Sequence, residues 1–241
     1  VIEGPVPIGE LLAAGAQIDE MYVDLDQCST VDDRVPLREV VRDAHEAGVS
    51  VWGLTSSVFA SVSDTNSPQG ALASAVRSVS TIPELVAADG PVLVLVDLSD
   101  PGNAGTLVRA AEAAGCVGVI FAGSSTDAFG PKAVRAAAGS IIRLPIAESG
   151  DITEVIAELR SSGRVLVATV VDGGAAPETI DLSGSVAILI GSEAHGLPVE
   201  VVDQCSLSVT IPMKSAVESI NAAVAGAVVL FECARQRRLS S

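Results

Sequence analysis

The sequence predicts an α/β protein of two parts: a small α/β domain over residues 1–79 and a larger parallel-sheet domain over 92–241, joined by a linker at 80–91. Three observations predict it. Helix and strand signals alternate along the first eighty residues, the pattern of a layered α/β domain. From residue 92 onward the strand-like segments are near-continuous runs of Val, Leu and Ile, as expected of strands covered on both faces of a parallel sheet. Between the two, residues 78–91 (SVSTIPELVAADGP) mix Ser, Pro and Gly and break both periodic regions.

In the front part, 6–14 (VPIGELLAA) has helical spacing and 18–24 (IDEMYVD) reads as a strand. Residues 36–47 (PLREVVRDAHEA) open with Pro, which suits a first helical turn. A strand at 49–54 (VSVWGL), a short helix near 56–61 and a strand around 71–77 complete it. In the rear part, strands are predicted near 92–97, 117–121, 164–170, 186–190 and 206–211. Helices are predicted at 104–114, 131–138, 151–162 and 218–236.

Composition bounds the function. The chain has 241 residues, 49% hydrophobic and 18% charged, enough to bury one large core or two smaller ones. Aromatics are only 2%, so the core must be built from Ala, Val, Leu and Ile. No apolar run reaches the ~18 residues a membrane span needs, and a cytoplasmic protein is expected. Cys28, Cys116, Cys205 and Cys233 lie far apart with no CxxC pair, and read as reduced thiols. His45 and His195 form neither a metal pair nor a triad with a serine, so no metal is expected.

The net charge of -16 argues against a basic nucleic-acid-binding module. It is spread evenly, with twelve acids against four bases over 1–80 and eighteen against ten over 81–241. Any contact with phosphate must then come from local patches. Those available are Lys132, Arg135 and Arg143, and the cluster Arg235, Arg237 and Arg238, which reads equally well as a helix end complementing the macrodipole.

Three segments carry motifs. They are VLVLVDLSDPGNAGTLVRAAEAAG (92–115), VAILIGSEAHGLP (186–198) and IPMKSAVESINAAVAGAVVLFECARQRR (211–238). In this order and spacing they resemble the three motifs of the SpoU-TrmH branch of the SPOUT methyltransferases. Residues 1–79 are more loosely similar to that family's ribosomal-protein-like substrate domain. This similarity includes DTNSPQGALA at 64–73, although Ser-Pro-Gln-Gly is also simply a good turn. The resemblance puts Val1 partway through a strand that relatives carry as FxVEGP, so the substrate domain is expected to be N-terminally incomplete.

The resemblance implies methylation of a ribose 2'-hydroxyl in RNA with S-adenosylmethionine as cofactor, 23S rRNA being the favoured substrate. It also implies a homodimer and a C-terminal trefoil knot, against the general rarity of knots. Similar enzymes include thiostrepton-resistance-type methyltransferases, so a housekeeping and an antibiotic-resistance role both stand open. A tRNA substrate and a non-catalytic RNA-binding relative are the alternatives. A nucleotide-binding oxidoreductase is a third, because DPGNAGTLVR follows a strand and opens a helix, but no GxGxxG fingerprint is present.

A methyl on a sulfonium is already activated, so its transfer needs an in-line oxygen, removal of the hydroxyl proton and exclusion of water, with no demand for a metal. By resemblance, Thr169, Ile190, Gly191, Ile211, Met213 and Ile220 bind the cofactor. The missing side chain at Gly191 would let backbone amides approach a flat adenine, with Ile211, Met213 and Ile220 as its apolar cover. Each residue alone reads equally as turn or core.

The catalytic set by resemblance is Asn103, Arg109, Glu193, Ser219 and Asn221. Asn103 is a natural helix N-cap, at a helix N-terminus suited to phosphate. The family's counterpart of Arg109 is proposed as general base, yet a guanidinium seldom gives up its proton, and orienting the hydroxyl suits it equally. Its bland alternative is a surface pair with Glu112 at i+3. Glu193 is expected to fix its loop by accepting backbone amides, and His195 to be a hydrogen-bonding surface residue. Ser219 and Asn221 start the last helix, where Ser219 alone could cap, with Glu218 favouring the dipole. Ala194 stands where relatives often carry Gly, and Ala222 where Val is common; neither change removes a functional group.

Overall fold

The computed structural model describes residues 1–29, 36–63, 65, 67–214 and 219–240. The chain divides into two compact units, Val1–Ser78 and Val79–Ser241. No described helix is long and apolar enough to cross a membrane.

The first unit contains β1 (Ile2–Glu3), α1 (Pro5–Ala13), β2 (Ile18–Asp24), α2 (Leu25–Cys28), α3 (Pro36–Glu46), β3 (Ser50–Leu54), α4 (Ser56–Val62) and β4 (Ala71–Ala75). Its sheet runs β1-β4-β2-β3, with β2 and β3 parallel and the other pairs antiparallel. Leu37, Val40 and Ala44 recur at helical spacing on α3 and are all buried. Met21 and Val23 alternate inward on β2, as the period of a strand requires. Gly70, at φ 78, ends the Pro-Gln-Gly turn in a conformation that favours glycine. Asp64 and Asn66 of that turn lie outside the described residues.

The second unit contains α5 (Ile82–Ala87), β5 (Val92–Val96), α6 (Pro101–Ala113), β6 (Gly118–Ala122), α7 (Pro131–Ala137), α8 (Ser140–Arg143), β7 (Ile146–Ser149), α9 (Ile152–Ser161), β8 (Val165–Thr169), β9 (Val186–Ile190), α10 (Val199–Val202), β10 (Leu207–Val209) and α11 (Ala222–Ser240). Its six strands are all parallel, in the order β10-β8-β9-β5-β6-β7. Every residue of β5, β6 and β9 is buried. Each such Val, Leu or Ile contributes roughly 1.5–3 kcal/mol relative to exposure. The chain adds β6 and β7 on one side of β5, then returns to place β9 on the other. The loops after β5 and β9 therefore open side by side, at the kind of switch point where parallel sheets hold ligands.

Glycines set the tightest contacts. A β-carbon at Gly105 would lie 2.3 Å from the carbonyl oxygen of Ala133 and 2.9 Å from the nitrogen of Ala137, so the backbones of α6 and α7 approach closely there. One at Gly226 would lie 2.3 Å from Ile190 and 2.4 Å from Leu107, which lets α11 lie down on β9 and α6. Burial pushes the Cys116 thiol up to about 12 and the Cys233 thiol up to about 11, so both stay protonated at ordinary pH.

Several expectations are corrected. The segment read as a linker at 80–91 carries α5, capped by Thr81 and Glu84 acting reciprocally, and its Ile82 and Leu85 belong to the core of the second unit. Its Ser, Pro and Gly are helix-start and turn residues around a buried helix. The short strand β7 was not foreseen, because only Ile146 and Ala147 of its four residues are buried. The last helix starts at Ala222, four residues later than the predicted 218.

A cavity at the ends of β8, β9 and β10

The loop after β9 folds back on itself. Ser192 and Gly196 exchange backbone hydrogen bonds of 3.1 and 2.9 Å, with Gly196 at φ 67. Gly191 is required by this closure: a β-carbon there would sit 2.1 Å from the carbonyl carbon of Gly196 and 2.2 Å from the nitrogen of Leu197. Closure of its own loop is therefore a requirement for glycine at 191 that the sequence reading did not name.

Beneath that loop lies a cavity of about 790 Å³, within the usual range for small-molecule sites. Thr169, Ile190, Gly191, Ile211, Met213 and Ile220, the six residues expected to bind a cofactor, all line it. So do Glu193, Ser219 and Asn221. Asn103 and Arg109 do not, although Asn103 is joined to the cavity rim. Motif reasoning missed further lining residues, among them Ser192, Leu197, Val202, Val209 and Ala225. The first two lie inside the quoted Gly-rich loop and Ala225 inside the third quoted segment, whereas Val202 and Val209 lie between the motifs and carry no local signal. The Thr169 hydroxyl is occupied, donating to the Leu189 carbonyl at 2.9 Å.

Glu193 ties the loop after β9 to the loop after β5. Its Oε1 accepts from the Asp100 amide at 3.2 Å and from Asn103 Nδ2 at 2.9 Å, and its Oε2 from the Ser99 amide at 3.3 Å and hydroxyl at 3.2 Å. Burial alone would raise its pKa, but the bonds from Asn103 and from backbone amides outweigh burial and hold the carboxyl below the ordinary glutamate value. The expected structural role is thus met, with amides of a different loop.

Asn221 extends the network. Its Nδ2 donates to Asn103 Oδ1 at 2.9 Å, while its own Oδ1 accepts the amides of Ala223 and Val224 at 2.9 and 3.2 Å. Asn221 is therefore the cap of α11, in place of the Ser219 cap considered from sequence. Glu218 lies outside the described residues. Nor is Asn103 the cap of α6. That role falls to Asp100, which accepts the Asn103 amide at 2.8 Å, because Pro101 begins the helix and has no N–H to satisfy. Freed from capping, the Asn103 amide group bridges Glu193 and Asn221, so one side chain from each of the three motif segments meets at the cavity mouth.

The cations divide into paired and unpaired. Lys132 bonds Asp100 at 2.7 Å and holds its carboxyl below the usual range. Arg143 bonds Glu112 through two contacts of 2.7 and 2.9 Å, so Glu112 is not the partner of Arg109. Arg235 pairs with Glu232, and Arg237 donates to the carbonyls of Ser183 and Gly184. Most of the expected basic patches are thereby spent within the fold. Arg109 is exposed and has no hydrogen-bond or ion-pair partner among the described residues. His195 is exposed at the cavity rim, as expected of a surface residue. No group of three or more metal-ligating side chains occurs among the described residues.

The chain is similar to known proteins. A 23S rRNA (guanosine(2553)-2'-O)-methyltransferase, RlmP of Bacillus subtilis, is 30% identical over 77% of this chain and 73% of its own. An AdoMet-bound rRNA methyltransferase from Sinorhizobium meliloti superposes with a TM-score of 0.83 at 30% identity, covering 97% of this chain and 85% of its own. The SpoU methyltransferase AviRb from Streptomyces viridochromogenes, in complex with AdoMet, does so with a TM-score of 0.82 at 27% identity, covering 98% and 89%. The profile for RNA 2'-O ribose methyltransferase substrate binding matches residues 1–78, the whole first unit. The profile of the SpoU rRNA Methylase family matches residues 90–231, which take in all three motif loops and the cavity they close, and the chain belongs to that family.

Proposed function

We propose that this chain moves a methyl group from S-adenosylmethionine to a ribose 2'-hydroxyl of RNA, with 23S rRNA as the substrate. The observation that carries the reading is that all six cofactor candidates line one cavity whose polar rim is joined through Glu193 and Asn221 to Asn103. The residues fit the cofactor. Ile211, Met213 and Ile220 offer apolar surface for a flat adenine, backbone groups at Ile190 and Gly191 lie at the strand end to hydrogen-bond it, and Ser219 and Asn221 give a polar edge. The bound cofactor supplies a methyl already activated on sulfonium sulfur.

The chain's own residues then position and exclude. The apolar wall keeps water from the reacting centre. Glu193 is no proton acceptor, since both its oxygens are engaged, and it holds the two loops in register. Arg109, exposed and without a partner among the described residues, keeps its own proton and donates hydrogen bonds to the substrate, orienting the hydroxyl and offsetting phosphate charge, while the hydroxyl proton passes to bulk solvent as the methyl leaves the sulfonium, which becomes a neutral thioether.

The active unit we propose is a homodimer. Arg109 lies outside the cavity of its own chain, and α11 carries an exposed apolar face of Val224, Val228 and Phe231 beside a second hollow of about 330 Å³ that includes Pro212. A single monomeric species in sedimentation at micromolar concentration would contradict it. The C-terminal trefoil knot is proposed from family membership and the interleaved order β10-β8-β9-β5.

The test is transfer of labelled methyl from S-adenosylmethionine to purified 23S rRNA, 16S rRNA and tRNA, followed by mapping of the modified ribose. Label at one ribose of 23S rRNA is expected. Label confined to tRNA would replace the substrate, and none in any RNA would overturn the activity.

A further inference from the structure

The chain holds one Trp and one Tyr, and they are neighbours. Trp52 on β3 is the register partner of Tyr22 on β2, so both side chains leave the same face of the first unit's sheet. The Tyr22 hydroxyl donates to the Glu20 carboxylate. Trp52 is 54% exposed and sits on β3, a free edge of the sheet. The core of the unit is filled without it, by Phe59 and aliphatic side chains. In a chain with only 2% aromatics, the one indole is more than half exposed and lies outside the buried core.

Charge decides what it could meet. The first eighty residues carry twelve acids against four bases, so neutralising phosphates cannot be the main hold of this unit on RNA. Base stacking needs an exposed π-face and tolerates any sequence. We infer that Trp52 is a stacking platform for an unpaired base of the RNA substrate, with Tyr22 beside it extending the aromatic surface. The inference rests on the RNA-methylating activity proposed above and adds the residue through which the acidic unit grips its substrate.

Because Trp52 is the only Trp, its fluorescence reports on this site alone. Titration of the full chain with poly(U) and with 23S rRNA is expected to quench and shift its emission. Trp52→Ala is expected to raise the KM for RNA roughly tenfold, leaving kcat and S-adenosylmethionine affinity unchanged, and Trp52→Phe to recover most of the loss. Unchanged emission at saturating RNA, or an unchanged KM in Trp52→Ala, would overturn the inference. So would an emission shift produced by protein concentration alone, which would assign the indole to a contact between copies. Failure of the wild type to methylate any RNA would count against the activity itself, whereas a fully active Trp52→Ala would reject only the stacking role.

Discussion

Strands β5 and β3 are each five residues long, yet β5 is buried at every position and β3 is exposed or half-exposed at every position. The first lies inside a six-stranded parallel sheet and the second at the edge of a four-stranded one. A strand held on both sides and both faces fixes the loop that leaves its end, and the loop after β5 is where Asp100 and Asn103 meet Glu193. An edge strand fixes little beyond itself, but it can present a side chain such as Trp52 to a partner. The same contrast separates a unit built to place atoms from one built to offer surface.

The comparison can be broken most directly at the loop after β9. Gly191→Val places side-chain atoms where the Gly196 and Leu197 backbone already lies, and is expected to abolish S-adenosylmethionine binding in calorimetric titration. Wild-type affinity would show that loop closure does not shape the cavity. Next come the strands themselves. Val94→Ala, at a fully buried position of β5, should cost about 2 kcal/mol in chemical denaturation. Ser50→Ala on β3, at an exposed position, should stay within about 0.5 kcal/mol. Equal losses would erase the distinction.

The smallest effect concerns pH. The Glu193 carboxyl is lowered from 4.5 in the folded chain. Its contribution to stability is therefore complete above that ordinary value and is lost as pH falls through the lowered one. Glu193→Gln should lower the neutral plateau of a stability-versus-pH curve and flatten its acid limb, so that variant and wild type differ least at low pH. An acid limb identical to that of the wild type would mean that the links between loops contribute nothing there.

Much of this was legible in the sequence because the signals are local. Strand β9 was predicted at its observed bounds, since five consecutive apolar residues end at a glycine. The six cofactor candidates come from the family resemblance of the motifs, and all of them line one cavity. What failed depended on choices between neighbours. Asp100 and Asn103 can both cap a helix, and only the position of Pro101 decides between them. Ser219 and Asn221 pose the same choice at α11. The pairing of Lys132 with Asp100 and of Arg143 with Glu112 joins residues about thirty positions apart, which no periodicity reveals. The helix α5 is hidden because Ser80, Pro83 and Gly90, in and around it, are residue types that also mark a linker.

The most direct test of the account is single-turnover methyl transfer to 23S rRNA by Arg109→Ala, with S-adenosylmethionine affinity measured on the same protein. The account predicts a fall in rate on the order of 10²-fold or more, at unchanged cofactor affinity and unchanged thermal stability. An undiminished rate would contradict the placing of Arg109 at the reacting ribose.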